Sequence, residues 1–127
     1  MLDIYATLEI SKVLEEVSGF SNTEIGKQKI NELKMLPEEE CIDALKLVSQ
    51  MSDFILKYGS LPVSSSFDLS KYVDLALKGM VLTALDLDHI ASDVLTSNKV
   101  HDFFKKGEKS LYFELLSLAN KLFDISE

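Results

Sequence analysis

The chain has 127 residues, a formal net charge of -8, 46% hydrophobic residues, 27% charged residues and one cysteine. That balance excludes a disordered or low-complexity polypeptide, and the length suits one domain whose core needs neither disulfide nor metal. All 13 basic residues are lysine, which argues against a free-standing nucleic-acid binder, because phosphate and guanine contacts draw on clustered positive charge and on the bidentate fork of arginine.

Met1-Leu2-Asp3-Ile4-Tyr5 lacks a basic n-region and a long apolar run, so it does not read as a signal peptide. No uninterrupted apolar stretch approaches the length of a membrane span. The expected location is the cytoplasm. Ser11 is placed to cap a first helix carrying Val13, Leu14 and Val17, which ends near Gly19. Ser21 and Glu24 have the spacing of a capping box, and a second helix is expected from there to about Leu36. Pro37 suits the first position of a third helix, and Glu38, Glu39 and Glu40 complement its dipole.

The third helix carries two adjoining apolar stripes. One is Cys41, Leu45, Val48 and Ile55; the other is Ala44, Leu47, Met51, Phe54 and Tyr58. Together they are wider than a surface helix needs, so the sequence predicts a long central helix packed on two sides. Cys41 is expected to be a small buried apolar residue. Gly59 is the expected terminator, with Pro62 beyond it.

Residues 60–67 form the only clear loop, too short for a domain linker. Asp68 is placed to cap a fourth helix with Leu69, Tyr72, Val73, Ala76 and Leu77 inward, closed by Gly79. Thr83 and Asp86 resemble a second capping box. It opens a fifth helix with Leu87, Ile90, Ala91, Val94 and Leu95 on one face, and Phe103 and Phe104 later. A last helix holds Leu111, Leu115, Leu118, Leu122 and Phe123. Alternation typical of strands never persists. The fold class is therefore all-α, a multi-helix bundle of about six helices, read as a single domain over residues 1–127.

Catalytic signatures are absent. The glycines at 19, 26, 59, 79 and 107 form neither a P-loop nor a dinucleotide fingerprint. No cysteine pair or H-E-x-x-H suggests zinc, and no serine stands in a nucleophile elbow. Two weak constellations remain. Asp86, His89 and Asp93 share one helix face and would offer two carboxylates and an imidazole to a metal, against the plainer reading of a solvated face. Lysines cluster at Lys27, Lys29 and Lys34 and at Lys105, Lys106 and Lys109; the last three are candidate phosphate contacts, against a plainer role in solvation and dipole complementation. His101 follows Ile90 and Val94 and reads as a half-buried packing residue.

The order of segments resembles the N-terminal helical region of the MutS-type ATPases, in the branch that suppresses recombination instead of repairing mismatches. Leu8 to Leu14 is similar to the family's opening Leu-Glu-apolar triplet and lysine-bearing helix. Ile25-Gly26-Lys27 is similar to its aliphatic-Gly-basic step. Gly59-Ser60-Leu61-Pro62 and Phe67-Asp68-Leu69 match the end of its long helix and the restart after it. Ala76 to Thr83 resembles its Ala-x-Lys-Gly-Gly-x-Leu-Ser/Thr segment, and Leu87-Asp88-His89-Ile90-Ala91 the helix that follows. The resemblance spans nearly the whole chain and rests on the ordered series. Departures are Ser64 and Ser65 in place of a Gly-Gly turn, Met80 in place of a second glycine, and Thr96 to Val100 where arginines are usual. These departures weigh against direct nucleic-acid contact.

The resemblance implies a non-catalytic scaffold, an N-terminal piece of a larger protein. That parent would carry a clamp, an ATPase domain using ATP and Mg, and often a nuclease-like domain. It would act as a homodimer on branched DNA, or on collided ribosomes. The residues alone leave a second reading open, a free-standing helical protein-interaction module, and no cofactor is expected in this chain under either.

Overall fold

The computed structural model describes residues 4–63 and 66–121. Among these residues the fold is all-α, with seven helices and no strand: α1 (Ile4–Thr7), α2 (Ile10–Ser18), α3 (Glu24–Asn31), α4 (Glu38–Tyr58), α5 (Ser70–Leu77), α6 (Ala84–Phe104) and α7 (Phe113–Ala119). The expected third helix is α4, 21 residues long. The one-turn α1 escaped the sequence reading because four residues are too few to show a period.

The chain forms two compact units, each assembled from separate stretches: residues 1–34 with 64–90, and residues 35–63 with 91–127. In the first unit α2 packs on α1 and α3; in the second α4 packs on α7. Helix α6 contributes its start to the first unit and the rest to the second.

Several helix ends differ from expectation, each for a local reason. Helix α2 begins at Ile10 after Glu9, whose backbone is left-handed, so Ser11 lies inside the helix. Thr23, not Ser21, caps α3: its hydroxyl accepts from the Gly26 amide at 3.0 Å. Ser21 instead folds onto Thr23, donating to its carbonyl oxygen at 3.1 Å, so the expected Ser21–Glu24 box does not form. Helix α3 stops at Asn31, five residues short of Leu36. The residue before a proline disfavours helical backbone, and residues 33–37 run as non-helical chain into α4. Pro37 itself is the cap residue, and its carbonyl accepts from the Cys41 amide at 2.9 Å. Asp68 accepts from the Ser70 amide at 3.0 Å, but Leu69 holds the cap position of α5.

Other ends follow the sequence. Gly59 closes α4 at φ 94° and donates to the Ile55 carbonyl. Gly79 closes α5 at φ 70°, with its amide on the Ala76 carbonyl and the Met80 amide on Leu75. This pair of bonds is the Schellman arrangement, and it needs the left-handed residue that glycine supplies without strain. The loop positions Ser64 and Ser65, and Leu122 and Phe123 of the expected last helix, lie outside the described residues.

The hydrophobic core sits in the second unit. It comprises Phe54, Phe103, Phe104, Tyr112, Leu115, Leu116 and Ala119, with Leu47, Met51, Tyr58, Leu61 and Val100 packed around them. Phe54 is wholly buried and makes ring contacts with Tyr58, Phe103, Phe104 and Tyr112 at centroid distances of 4.6–5.3 Å. Such tilted and edge-to-face pairs add about 0.5–1.5 kcal/mol each beyond the area they bury.

Only one of the two α4 stripes is used in this core. Leu47, Met51, Phe54 and Tyr58 pack inward, whereas Leu45 and Val48 are each 61% exposed and Ile55 and Cys41 lie on the surface. The expectation of a helix packed on two sides, with a buried cysteine, is thereby corrected: among the described residues of this unit the core packs on one face, and the other stripe, Cys41 included, is exposed. The inward sets of α5 and α6 shrink similarly. Tyr72 is the buried hydrophobic residue of α5, and Leu77, Leu87 and Leu95 are exposed. Thr96, Phe103 and Phe104 are the buried residues of α6. In the last helix Leu115, Leu116 and Ala119 are buried and Leu118 is not, while Leu111 precedes the helix.

One side chain of α4 organises the start of α7. Helix α7 has no side-chain cap from its own cap residue, Tyr112. Gln50 supplies the acceptor instead: its Oε1 takes the Leu115 amide at 3.0 Å, and its Nε2 donates to Glu114. Replacing Gln50 with alanine leaves the Leu115 amide without this partner and is expected to cost about 1–2 kcal/mol. A lower urea midpoint at unchanged slope would show it. Hydrogen bonding by Gln50 also holds the Glu114 carboxyl below its ordinary pKa.

Candidate functional site

The acidic face of α6 is built by its cap. Asp86 Oδ2 accepts from the Thr83 amide at 2.8 Å and from the Thr83 hydroxyl at 2.7 Å, and Thr83 Oγ1 accepts from the Asp86 amide at 3.2 Å. The expected second capping box therefore forms, with Asp replacing Glu. These bonds, the Thr83 hydroxyl first, lower the Asp86 pKa. A depressed carboxylate stabilises the fold above its unfolded pKa, near 3.9, and that contribution is lost as pH falls through the lower folded value. Asp86→Asn is thus expected to reduce helicity at neutral pH and to shrink the loss of helicity between about pH 4 and the acid end. Circular dichroism of both forms across an acid titration checks it.

His89, one turn later, is engaged as well. Its Nδ1 lies 2.7 Å from the Tyr72 hydroxyl, and its ring stacks on Phe67 at 4.1 Å. Lys71 Nζ stands over the Tyr72 ring at 4.7 Å from its centroid. Asp93 lies further along α6 and is half-buried. The structure thus binds Asp86 into a helix cap and His89 into an aromatic packing cluster. Among the described residues, no three His, Cys, Asp or Glu side chains are grouped to hold a metal ion.

The candidate lysines surround the exit of α6. Lys105 pairs with Asp102 at 2.8 Å, and Lys106 lies over the Phe103 ring at 5.2 Å. Lys105 and Lys109 line a cavity of about 250 Å³ with His101, Gly107 and Asn120, floored by Phe104, Leu116 and Ala119. The His101 side chain is 22% exposed, the half-buried packing position expected of it. Lys27, of the earlier cluster, pairs with Glu24 at 3.0 Å. Lys105 and Lys109 bring positive charge to this cavity, yet Asp102 and Glu108 interleave with it. Its lysine ammonium groups are suited to attracting a small anion.

The feature that sequence reasoning misjudged is the outer stripe of α4. Its pattern was visible, but its exposure was not, because amphipathic spacing reports which residues share a face and not what covers that face. Leu56 beside it is 85% exposed. In the other unit Leu77 and Val81 are 80% and 94% exposed. Among the described residues, no helix is long and apolar enough to cross a membrane.

No family model matches the chain, and no solved structure matches it significantly. Curated relatives do. The chain is 24% identical over 126 residues to the endonuclease MutS2 of Thermotoga petrophila, covering 99% of this chain and 16% of that protein. It is 26% identical over 109 residues to the endonuclease MutS2 of Clostridium perfringens, covering 84% of this chain and 14% of that protein. Across most of its length, then, this all-α chain is similar to a short stretch of the MutS2 endonucleases and spans about one-sixth of the first of them.

Proposed function

We propose that this chain is a non-catalytic helical scaffold segment of a MutS-type DNA-processing ATPase. The observation that carries the reading is the coverage: nearly the whole chain aligns, and it aligns to about one-sixth of the relative. The catalytic parts of such a parent, with their ATP and Mg, belong to other segments. Exposed Leu77, Val81, Leu85 and Leu87 support the reading, because apolar side chains at the end of α5 and the start of α6 suit packing against neighbouring domains. In this role the segment links clamp and ATPase in a cytoplasmic homodimer that holds branched DNA and suppresses recombination. Its own acidity keeps it off the phosphate backbone.

The test uses the purified chain with ATP and with a labelled four-way DNA junction, and then with the remaining clamp and ATPase segments of a MutS2 protein. The expected result is no ATP turnover, weak DNA binding, and a stoichiometric complex with the missing segments. ATP hydrolysis by the chain alone, or tight salt-sensitive binding to the junction, would overturn the reading. Failure to form the complex would favour the free-standing interaction module, for which the bare face of α4 is the specific support.

A further inference from the structure

The cavity at the exit of α6 grades from apolar to polar. Its floor is Phe104, Leu116 and Ala119, each at most 9% exposed. Its polar lining includes His101, Lys109 and Asn120; the last two are exposed and His101 is half-buried. All of these residues lie in the second unit, so the cavity is built within one compact body. Its volume is about 250 Å³. An apolar cavity of about 150 Å³ holds benzene in another protein, so this one has room for a single ring and a small substituent.

We propose that this cavity binds a small organic monocarboxylate with a compact apolar body, an aryl carboxylate being the simplest member of the class. The body lies on the floor, and the carboxylate stays at the polar end, where the Lys109 ammonium, the His101 imidazole and the Asn120 amide are able to donate. Lys109 supplies the charge. Among the described residues it has no ion-pair partner. Lys105 is instead held by Asp102 at 2.8 Å, and Lys106 lies over the Phe103 ring.

Charge and shape together select this ligand class. The carbonyl end of a helix opposes an anion with about half a charge. At the exit of α6 that opposition is blunted, because the amides of Lys105, Lys106 and Gly107 already donate to the carbonyls of His101, Phe103 and Phe104. The full charge of Lys109 exceeds what remains. A phosphate dianion would meet the carboxylates of Asp102 and Glu108 and would leave the apolar floor unfilled. A nucleic-acid backbone would do the same. One negative charge on a hydrocarbon body matches one unpaired ammonium above a hydrocarbon floor. This site does not require the scaffold role.

Titration of the full chain with sodium benzoate, followed by amide NMR shifts, tests it. The expected result is saturable shifts centred on Gly107, Lys109 and Asn120, with a Kd of about 0.1–5 mM. Acetate has the charge without the body, and benzyl alcohol the body without the charge; each binds at least about tenfold more weakly, as does inorganic phosphate. Lys109→Gln weakens benzoate about tenfold and leaves benzyl alcohol unchanged, whereas Lys109→Arg retains benzoate. Asp102→Asn frees Lys105 and tightens benzoate about threefold. Lys109 and Asp102 are exposed, so far-ultraviolet dichroism stays that of wild type. Absence of saturation by about 20 mM benzoate overturns the proposal. So does phosphate or acetate binding as tightly as benzoate, or a Lys109→Gln chain that binds benzoate like wild type. Shifts centred instead on the groove beside Leu47 and Phe113 overturn it too.

Discussion

Replacing Phe54 with alanine is expected to destabilise the second unit by about 3–5 kcal/mol, the range for emptying a large aromatic site in a packed core. Phe54 is the fully buried large side chain among the described residues. It is also the ring that joins the α4 stripe to the end of α6 and the start of α7, through Tyr58, Phe103, Phe104 and Tyr112. Its removal deletes four aromatic pairs at once and leaves a void that rigid neighbours cannot close. A chain of this size has a total stability on the order of 5–15 kcal/mol, so the loss is a large part of the whole. The protein has no tryptophan. Tyr58 and Tyr112 both sit against Phe54, so the near-ultraviolet dichroism of these tyrosines reports the change directly. Loss of that signal at temperatures where helicity persists is the expected pattern. A shift of the urea midpoint worth less than about 1 kcal/mol would show that the core does not depend on this ring.

The sequence made the helices legible where chemistry and period agreed. Gly59, Gly79 and the Thr83–Asp86 pair mark true helix ends because each satisfies backbone groups by itself, without tertiary help. The ends that moved were decided by competition. Ser21 and Thr23 both offer a hydroxyl to the start of α3, and only the geometry of the turn shows that Thr23 takes the Gly26 amide. The cap of α7 was illegible because its acceptor, Gln50, lies 65 residues away. The candidate site was less readable still. Asp86, His89 and Asp93 look like a ligand set in the helical register, yet Asp86 is committed to Thr83 and His89 to Tyr72 and Phe67, partners that periodicity does not reveal. The two stripes of α4 were equally apolar on paper. Their different fates depend on whether another element reaches them, which no property of α4 encodes.

Gly107→Ala is the second substitution with a large expected effect, and its sign is set by one contact. In general a Gly to Ala change at a permissive position stabilises by about 0.4–1 kcal/mol, because the unfolded chain has less freedom to lose. At Gly107 the new Cβ would stand 2.5 Å from Phe54 Cε2 and 3.2 Å from Leu116 Cδ2. The first distance is well inside van der Waals contact, so the ring must move. It has no easy direction, being bounded by Phe103, Phe104, Tyr58 and Tyr112. Overpacking of this kind typically costs about 1–3 kcal/mol, which outweighs the entropic gain. The variant is therefore expected to be less stable than wild type. The cause can be isolated by a double-mutant cycle with Phe54→Leu, whose shorter side chain vacates the position of Cε2. Gly107→Ala should then cost less in the Phe54→Leu background than alone, a coupling within the range of about 0.5–3 kcal/mol seen for touching residues. Additive costs would place the strain elsewhere in the 105–108 turn, and a neutral or stabilising Gly107→Ala would show that the turn after α6 yields before the ring does.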